Sequence, residues 1–202
     1  MSTPFDPRPI VLEGDRVRLE PLDLEHAVAL FEAGSDAAIW AYMPRPVFRD
    51  LADCQEWIAQ TRAEMESTES VAFAIHSIAH DRAVGSTRLF DFDRASRGLE
   101  IGWTWLGTAY QRTAINTEAK FLLLRYAFED LEARRVQLKT DARNLASQRA
   151  IERLGASREG VLRRQRLVWD GCVRDTVYYS IIDTEWPEVK ARLRALVVRN
   201  PR

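Results

Sequence analysis

Residues 110–120, YQRTAINTEAK, have the composition of a helix entrance, and the apolar run FLLLRYAFEDL that begins at Phe121 would continue them as a buried helix. The first turn of a helix has four backbone N–H groups without partners and carries the positive end of the helix dipole, so it can bind a phosphate. Glycine allows a backbone to approach a phosphate most closely. This stretch has Thr113, Ala114 and Asn116 instead, which makes it a candidate phosphate site built without glycine.

A carboxylate, Glu100, interrupts the apolar segment GLEIGWTWL at residues 98–106. Side chains alternate between the two faces of a strand, which would place Leu99, Ile101 and Trp103 on one face and Glu100, Gly102 and Thr104 on the other. A carboxylate in a central strand is costly unless it is hydrated or paired. Glu100 is therefore either a group in contact with water or the partner of an arginine such as Arg88 on the neighbouring strand.

Length, charge and cysteine content restrict the class of protein. A chain of 202 residues, 46% of them apolar and 29% charged, predicts one globular α/β or α+β domain. Lys and Arg number 29 and Asp and Glu number 30, so no overall field attracts nucleic acid. Cys54 and Cys172 are far apart and belong to no Cys/His cluster, which indicates no metal site and a reducing, cytoplasmic setting. We expect no signal peptide in the first ten residues and no membrane span.

Hydrophobic periodicity and turn residues predict the element order β-α-α-β-β-β-α-β-α-β-β-α. The predicted strands are residues 14–22, 71–79, 83–92, 98–106, 134–142, 160–169 and 173–182. The predicted helices are a short one capped by Asp23, then 51–66, the helix after the 110–116 turn, 144–154 and 186–198. Asn144 is a good helix cap and Gly155 a good terminator. Because no linker or repeat divides the chain, we assign residues 1–202 to a single domain with its core at about 11–183.

Four segments resemble, in order, the core motifs of the GCN5-related N-acetyltransferases (the GNAT family): GLEIGWTWL, QRTAIN, TEAKFLLLRYAFE and NLASQRAIERLGA. Within that family the chain is similar to the ribosomal-protein N-terminal acetyltransferases called RimJ/RimL-like, and the resemblance extends from Arg16 to Ile182. It implies an α/β (α+β) GNAT fold, in which a mixed, twisted central sheet is splayed like a V and flanked by helices. It also implies acetyl-CoA as the donor, bound at the splay, with no metal.

The resemblance assigns a ligand to the helix entrance, the pyrophosphate of coenzyme A. The glycine-containing pattern of the family falls on Gln111, Arg112, Thr113, Ala114, Ile115 and Asn116. We expect the Ala114 methyl group to crowd the phosphate, and Asn116 to adopt the left-handed conformation that asparagine tolerates best after glycine. Arg112 would supply a counter-charge, and Thr113, Asn116 and Thr117 would add hydrogen bonds. In the alternative interpretation, Asn116 or Thr117 is only the helix cap.

The resemblance also implies roles for residues further along the chain. Glu100 would relay a proton from the acceptor amine, commonly through water, and unpaired backbone groups would bind the pantetheine arm at Trp103, Thr104, Trp105 and Leu106. Asn144 would hydrogen-bond the pantetheine, with Ser147 near the sulfur. The tyrosine acid of many relatives falls on Ile151 here, so the thiolate, whose pKa is near ~8.5, would take its proton from water or through Ser147. Ser147 could equally be an ordinary surface serine.

The resemblance places the acceptor-side wall in AIWAYMP, at Trp40, Tyr42 and Met43, although an ordinary packed loop has the same sequence character. Arg88 is assigned to the acceptor side as well. The amine must be neutral to attack. At pH 7.4 about one quarter of an α-amine with a pKa near ~7.8 is neutral, against about one lysine in a thousand, which favours a protein or peptide N-terminus.

Two alternatives stay open at the level of sequence. The acceptor could be a small amine, such as a polyamine, an amino acid or an antibiotic. The chain could also be a non-catalytic module that binds coenzyme A, because Ala114 and the missing tyrosine both depart from the family pattern. The expected partners are acetyl-CoA and an amine, without nucleic acid or membrane, and a homodimer is left open.

Overall fold

The computed structural model describes residues 5–199, in which eight strands form one mixed sheet flanked by five α-helices. The strands are β1 (Leu12–Glu13), β2 (Val17–Pro21), β3 (Ser70–Ser77), β4 (Arg82–Asp93), β5 (Gly98–Leu106), β6 (Arg135–Asp141), β7 (Ser157–Leu167) and β8 (Val173–Ile182). The helices are α1 (Ala27–Ala33), α2 (Leu51–Glu66), α3 (Ala114–Arg125), α4 (Leu145–Leu154) and α5 (Trp186–Arg199). The predicted elements are confirmed, and β1 is an additional strand. The proposed domain of residues 1–202 extends beyond the described residues at both ends.

The strands follow the order β1-β2-β3-β4-β5-β6-β8-β7 across the sheet. Every neighbouring pair is antiparallel except β5 and β6, which are parallel. Parallel neighbours need a crossover connection of a dozen or more residues, and α3 provides this crossover. The mixed α/β fold with helices around the sheet is therefore confirmed.

The helices cover the two faces of the sheet, and each face has its own core. The larger core lies under α3, α4 and α5, where Leu123 and Leu193 join Ile101 of the sheet in one apolar cluster. The smaller core lies under α1 and α2 and contains Ile58 and Ala74. We call these two sides of the sheet the α3 face and the α2 face.

Strand β5 contains a bulge at Trp103, whose backbone is left-handed with φ of 50°. The register with β4 shifts here, so Thr87 opposes two residues of β5. Trp103 contacts Arg88 on the α2 face, at 4.5 Å from ring centroid to guanidinium carbon. Thr104 contacts Thr87 on the α3 face, at 2.8 Å between their hydroxyl oxygens. The predicted alternation is therefore wrong from Trp103 onward, because one extra residue reverses the face of every side chain that follows.

Strands β5 and β6 are paired over three residues and separate after Glu100 and Gln137. Beyond this point β5 stays paired with β4 as far as Leu106, and β6 stays paired with β8 as far as Asp141. The sheet thus splits into two arms, as the V-shaped fold requires. Within the described structure, the edge of β5 at residues 101–106 faces the gap without a partner strand.

The predicted ends of α4 are confirmed. Asn144 caps the helix, with Oδ1 accepting a hydrogen bond from Ser147 N at 3.0 Å. Gly155 ends it in the left-handed conformation, with φ of 104°. Local sequence suffices here because a cap involves residues within a single turn.

Candidate active site

Thr113 caps the entrance to α3. Its backbone is extended, with φ of −101° and ψ of −179°. Its hydroxyl accepts a hydrogen bond from Ile115 N at 3.3 Å and donates one to the carbonyl oxygen of Tyr110 at 2.7 Å. The interpretation in which Asn116 or Thr117 is the cap is wrong, since both residues lie inside the helix.

The two positions where the family has glycine, Ala114 and Asn116, lie inside helix α3 and have no left-handed backbone that would require glycine. The left-handed residue of the loop before α3 is Arg112, with φ of 61°, and the expectation that Asn116 takes this conformation is wrong. Ala114 is the first helical residue and is 1% exposed, so protein atoms enclose its methyl group. Gln111 Nε2 donates a hydrogen bond to the carbonyl oxygen of Leu106 at 3.1 Å, which ties the loop to the end of β5.

The first turns of α3 also contact α4. The Thr117 hydroxyl is buried and accepts a hydrogen bond from Arg153 Nη2 at 2.9 Å. Ile115 belongs to the larger core, whereas Asn116 is partly exposed. Asn116 can therefore reach a ligand at the helix entrance, while the Thr117 hydroxyl joins two helices.

Helix α4 follows the β6 arm and presents two of the predicted site residues. Asn144 uses its carbonyl oxygen for the cap, which leaves its amide nitrogen for another acceptor. Ser147 is half-buried. Ile151 is 7% exposed and lies in the larger core. The position of the family tyrosine is thus filled by a core residue that has no acidic proton.

Glu100 lies on the α2 face where the two arms separate, and 1% of it is exposed. Its Oε2 pairs with Lys139 Nζ at 2.8 Å and accepts a hydrogen bond from Gln137 Nε2 at 3.0 Å. Burial raises the pKa of Glu100, and the hydrogen bonds and charge of these two partners offset part of the rise. The sequence suggested Arg88 as the partner of Glu100. That pairing is wrong, because the cation bound to Glu100 is Lys139 of β6.

Arg88 lines a polar cleft on the same face. Its guanidinium is bonded to Glu64 Oε2 at 2.6 Å and to the Thr61 hydroxyl at 2.7 Å, and it lies over the Trp103 ring. Burial lowers the pKa of Arg88. The cleft has a volume of about 370 Å³ and is lined by Arg45, Asp53, Glu56, Trp57, Gln60, Thr61, Glu64, Arg88 and Trp103. The lining of this cleft is both charged and aromatic.

The three predicted acceptor-wall residues have different environments. Trp40 is 2% exposed, and its Nε1 donates to the carbonyl oxygen of Gly34 at 2.8 Å. Because it packs in an aromatic cluster with Phe48 and Trp105, Trp40 fits the alternative of an ordinary packed loop, and its assignment to the acceptor wall is wrong. Met43 packs against the smaller core. Tyr42 is 38% exposed, with the guanidinium of Arg143 at 5.7 Å from its ring.

The four predicted pantetheine residues lie along the free edge of β5, and their side chains point to both faces. Trp103 and Trp105 point to the α2 face, and Thr104 and Leu106 to the α3 face. A ligand between the arms would therefore meet their peptide groups, which lie in the plane of the sheet.

Lys120 was not identified from the sequence. Its ammonium group is buried on the α3 face and donates hydrogen bonds to the hydroxyls of Thr87 and Thr104 at the bulge. Within residues 5–199 it forms no ion pair with a carboxylate, and burial lowers its pKa to about 7. The sequence did contain a signal for a buried lysine, because Lys120 stands between the apolar residues Ala119 and Phe121 in a helix predicted to be buried.

Metal-binding clusters and membrane-spanning helices are both absent from the described chain. No group of three or more His, Cys, Asp or Glu side chains among residues 5–199 is arranged to hold a metal ion. In the same range, no helix has both the length and the apolar composition needed to cross a membrane.

A model of the acetyltransferase (GNAT) domain matches residues 16–157, more than two thirds of the chain. The chain belongs to the GNAT acetyltransferase family. The match includes β5, the entrance to α3 and the whole of α4, so the candidate site lies within the family domain.

Solved structures and curated proteins agree with this assignment. A GCN5-related N-acetyltransferase from Brucella melitensis is 31% identical, with a TM-score of 0.89 over 95% of this chain and 87% of that one. RimJ of Mycobacterium smegmatis, solved in complex with CoA-disulfide, shares the fold at 22% identity, with a TM-score of 0.80 over 93% of this chain and 94% of that one. YdaF of Bacillus subtilis (strain 168), provisionally named a ribosomal N-acetyltransferase, is 36% identical over 50% of this chain and 55% of its own. The chain thus matches little more than half the length of that relative.

Proposed function

We propose that this GNAT domain transfers an acetyl group from acetyl-CoA to a primary amine, and that the acceptor is the N-terminal α-amine of a protein or peptide. The separation of β5 and β6 after Glu100 and Gln137 carries the proposal. It leaves an edge of peptide groups beside a carboxylate, and this edge leads to the entrance of α3, which Gln111 ties to the end of β5. A thioester arm and an amine would meet at this point.

The donor would be bound by groups from both arms of the V. The N–H groups in the first turn of α3 and the charge of Arg112 suit the pyrophosphate. Peptide groups of β5 at residues 103–106 would bind the pantetheine amides, and the Asn144 amide nitrogen would add a contact from the other arm. The half-buried Ser147 would then lie near the sulfur. The complex of RimJ with CoA-disulfide supports coenzyme A binding by a protein of this fold.

In the transfer step, the neutral amine nitrogen attacks the thioester carbonyl carbon, the carbon–sulfur bond breaks and the thiolate leaves. The proton lost by nitrogen passes to the Glu100 carboxylate, directly or through one water. Its raised pKa makes Glu100 a stronger base than an exposed glutamate. The thiolate takes a proton from water or through Ser147, since a thiol has a pKa near ~8.5. The Lys139 ammonium beside Glu100 disfavours a second cation, so the amine would arrive neutral.

The same requirement for a neutral amine favours an α-amine over a lysine side chain, because a far smaller fraction of lysine is neutral near pH 7.4. The provisional name of YdaF supports a protein acceptor. We assign the first residues of that acceptor to the cleft beside Arg88 and Trp103, with Tyr42 and Met43 on the adjoining loop. Trp40 is left out because it is enclosed in the core.

A thiol-release assay with acetyl-CoA tests the proposal. Peptides with a free N-terminus and one internal lysine would be compared with the same peptides blocked at the N-terminus, and with polyamines. We expect thiol release from the free peptides to be at least roughly tenfold faster than from the blocked ones, in line with the difference in neutral amine.

Other results would identify the alternatives. Faster release with polyamines would favour a small-amine acetyltransferase. A rise in melting temperature with coenzyme A, without release for any acceptor, would indicate a non-catalytic binding module. Calorimetry that detects no coenzyme A binding would contradict both the enzyme and the module.

A further inference from the structure

Arg174 on β8 is a buried cation on the α2 face of the sheet, the face that also carries Glu100. Along β8, alternate residues share a face, and Tyr178 opposes Lys139 in the register of the sheet. Lys139 in turn pairs with Glu100. The Arg174 side chain points to this same side, because its Nε donates a hydrogen bond to the Thr176 hydroxyl at 3.0 Å.

Arg174 has no carboxylate partner within the described residues 5–199. Nine-tenths of the residue is buried, at 7% exposure, and its hydrogen bond to Thr176 uses Nε rather than the two terminal nitrogens. Asp141 and Glu100 act on it electrostatically, but both are held by other cations. Arg143 binds Asp141 with two hydrogen bonds, at 2.7 and 3.0 Å, and Lys139 holds Glu100.

A mostly buried guanidinium without an anion is costly, because it has lost most of its water and gained no compensating charge. Burial accordingly lowers the pKa of Arg174, and the neighbouring Arg166 adds repulsion. Arginine nevertheless stays protonated in proteins. The structure therefore contains a positive charge, on the same face of the sheet as the proposed base, that a bound anion would neutralise.

We propose that Arg174 binds a carboxylate that the acceptor carries within a few bonds of its reactive amine, an assignment that rests on the proposed function. The anion belongs to the acceptor because Arg174 lies on the α2 face with Glu100, whereas the helix entrance assigned to the donor pyrophosphate belongs to α3 on the opposite face. The planar guanidinium suits a carboxylate, which it can bind through two parallel hydrogen bonds. Binding there would hold the amine next to Glu100.

Two acceptor types supply this chemistry: a peptide with an acidic first residue, and a free amino acid. The experiment compares Asp-Ala-Ala amide with Asn-Ala-Ala amide, and alanine with alaninamide, in the thiol-release assay. Each rate is divided by the neutral fraction of its amine. We expect the carboxylate form of at least one pair to have a kcat/KM roughly 10- to 100-fold higher, the range of a hydrogen bond to a charged group.

The variant Arg174→Gln should reduce this preference to within about twofold while the amide acceptors keep their rates, because those acceptors do not use the charge. Arg166→Gln is the matched control, since Arg166 opposes Arg174 on β7 and is exposed. It should keep the preference.

Equal use of both members of both pairs by the unaltered protein would overturn the proposal, whether or not Arg174→Gln folds. Loss of the preference in Arg166→Gln to the same degree would also overturn it. If no amine is acetylated, the proposed function fails first. Calorimetry of N-acetyl-Asp-Ala-Ala amide with coenzyme A present then decides the anion site by itself, since equal affinity for the unaltered and Arg174→Gln proteins would rule it out.

Discussion

Two lysines contact the region of β5 around the bulge from opposite faces of the sheet, and their surroundings differ. Lys139, on the α2 face, pairs with Glu100, and 20% of its side chain is exposed. Lys120, on the α3 face, is buried and bonded to two hydroxyls, and it forms no ion pair within residues 5–199. Because Lys120 has neither a carboxylate partner within those residues nor full contact with water, burial lowers its pKa to about 7.

The different surroundings of Lys139 and Lys120 suggest different roles for the two faces of β5. Under the proposed function, the α2 face carries the carboxylate that takes a proton from the acceptor, whereas the amine on the α3 face forms hydrogen bonds to the bulge. Lys120 joins α3, whose entrance we assign to the donor, to the bulge that turns Trp103 toward the α2 face. Substitutions on the two faces should therefore affect different properties, catalysis on one and pH-dependent stability on the other.

The largest effect is expected on the α2 face. Glu100→Gln should lower kcat by roughly 100- to 1,000-fold, because the amide cannot accept the proton of the amine. Steady-state thiol release with a peptide acceptor measures this change. Glu188→Gln, an exposed change on α5, is the matched control and should leave kcat unchanged. A kcat for Glu100→Gln equal to that of the unaltered protein would remove Glu100 from the mechanism.

On the α3 face, Lys120→Met should change how stability depends on pH. In the folded protein the pKa of Lys120 is about 7, well below the value of ~10.4 in an unfolded chain. The unfolded state therefore binds more protons above pH 7, and Lys120 adds stability as the pH rises. Between pH 6.5 and 8.5 the gain should be about 2 kcal/mol.

Urea unfolding of both proteins at these two pH values measures the gain. In Lys120→Met it should be absent, while the hydroxyls of Thr87 and Thr104 can still bond to each other. If the free energy of unfolding rose by the same amount in both proteins, Lys120 would not be the source of the gain, and its pKa in the folded protein would not be lowered.

The Lys139→Met substitution tests the other lysine. Removing the ammonium takes away the stronger of the two partners that offset burial and leaves only Gln137, so the pKa of that carboxyl should rise further. The acidic limb of the pH–rate profile would then move to higher pH, and the rate on that limb should fall about tenfold for every pH unit by which the limb moves. The rate at high pH should change less. Profiles that superimpose would mean that Lys139 does not control the base.

The smallest effect is expected at the helix entrance. Ala114→Gly should leave the affinity for coenzyme A within about twofold, because the methyl group is enclosed by protein. It should lower the free energy of unfolding by roughly 0.5–1 kcal/mol, the usual difference between glycine and alanine in a helix. Calorimetry and urea unfolding give the two values. Clearly tighter binding by the glycine variant would show that the methyl group obstructs the pyrophosphate.

Much of the fold could be predicted because its signals are local. The pattern of apolar residues specified the elements, and Asn144 and Gly155 marked the ends of α4. The face of each β5 side chain could not be predicted past Ile101, because the bulge depends on how Thr87 of a different strand is placed. Asn116 was predicted to be left-handed because asparagine tolerates that conformation. The helix begins at Ala114, however, so Asn116 is helical and the left-handed residue is Arg112.

The candidate site divides in the same way. The amino-acid sequence by itself determined the family motifs, the helix entrance and the presence of a carboxylate in a central strand, since each depends on neighbours within one element. Only the tertiary structure decided that Lys139 rather than Arg88 pairs with Glu100, that Trp40 is a core residue, and that Lys120 and Arg174 are buried without an acid among residues 5–199. These features depend on contacts between residues far apart in the chain, and on how much water each group loses when the sheet and helices pack.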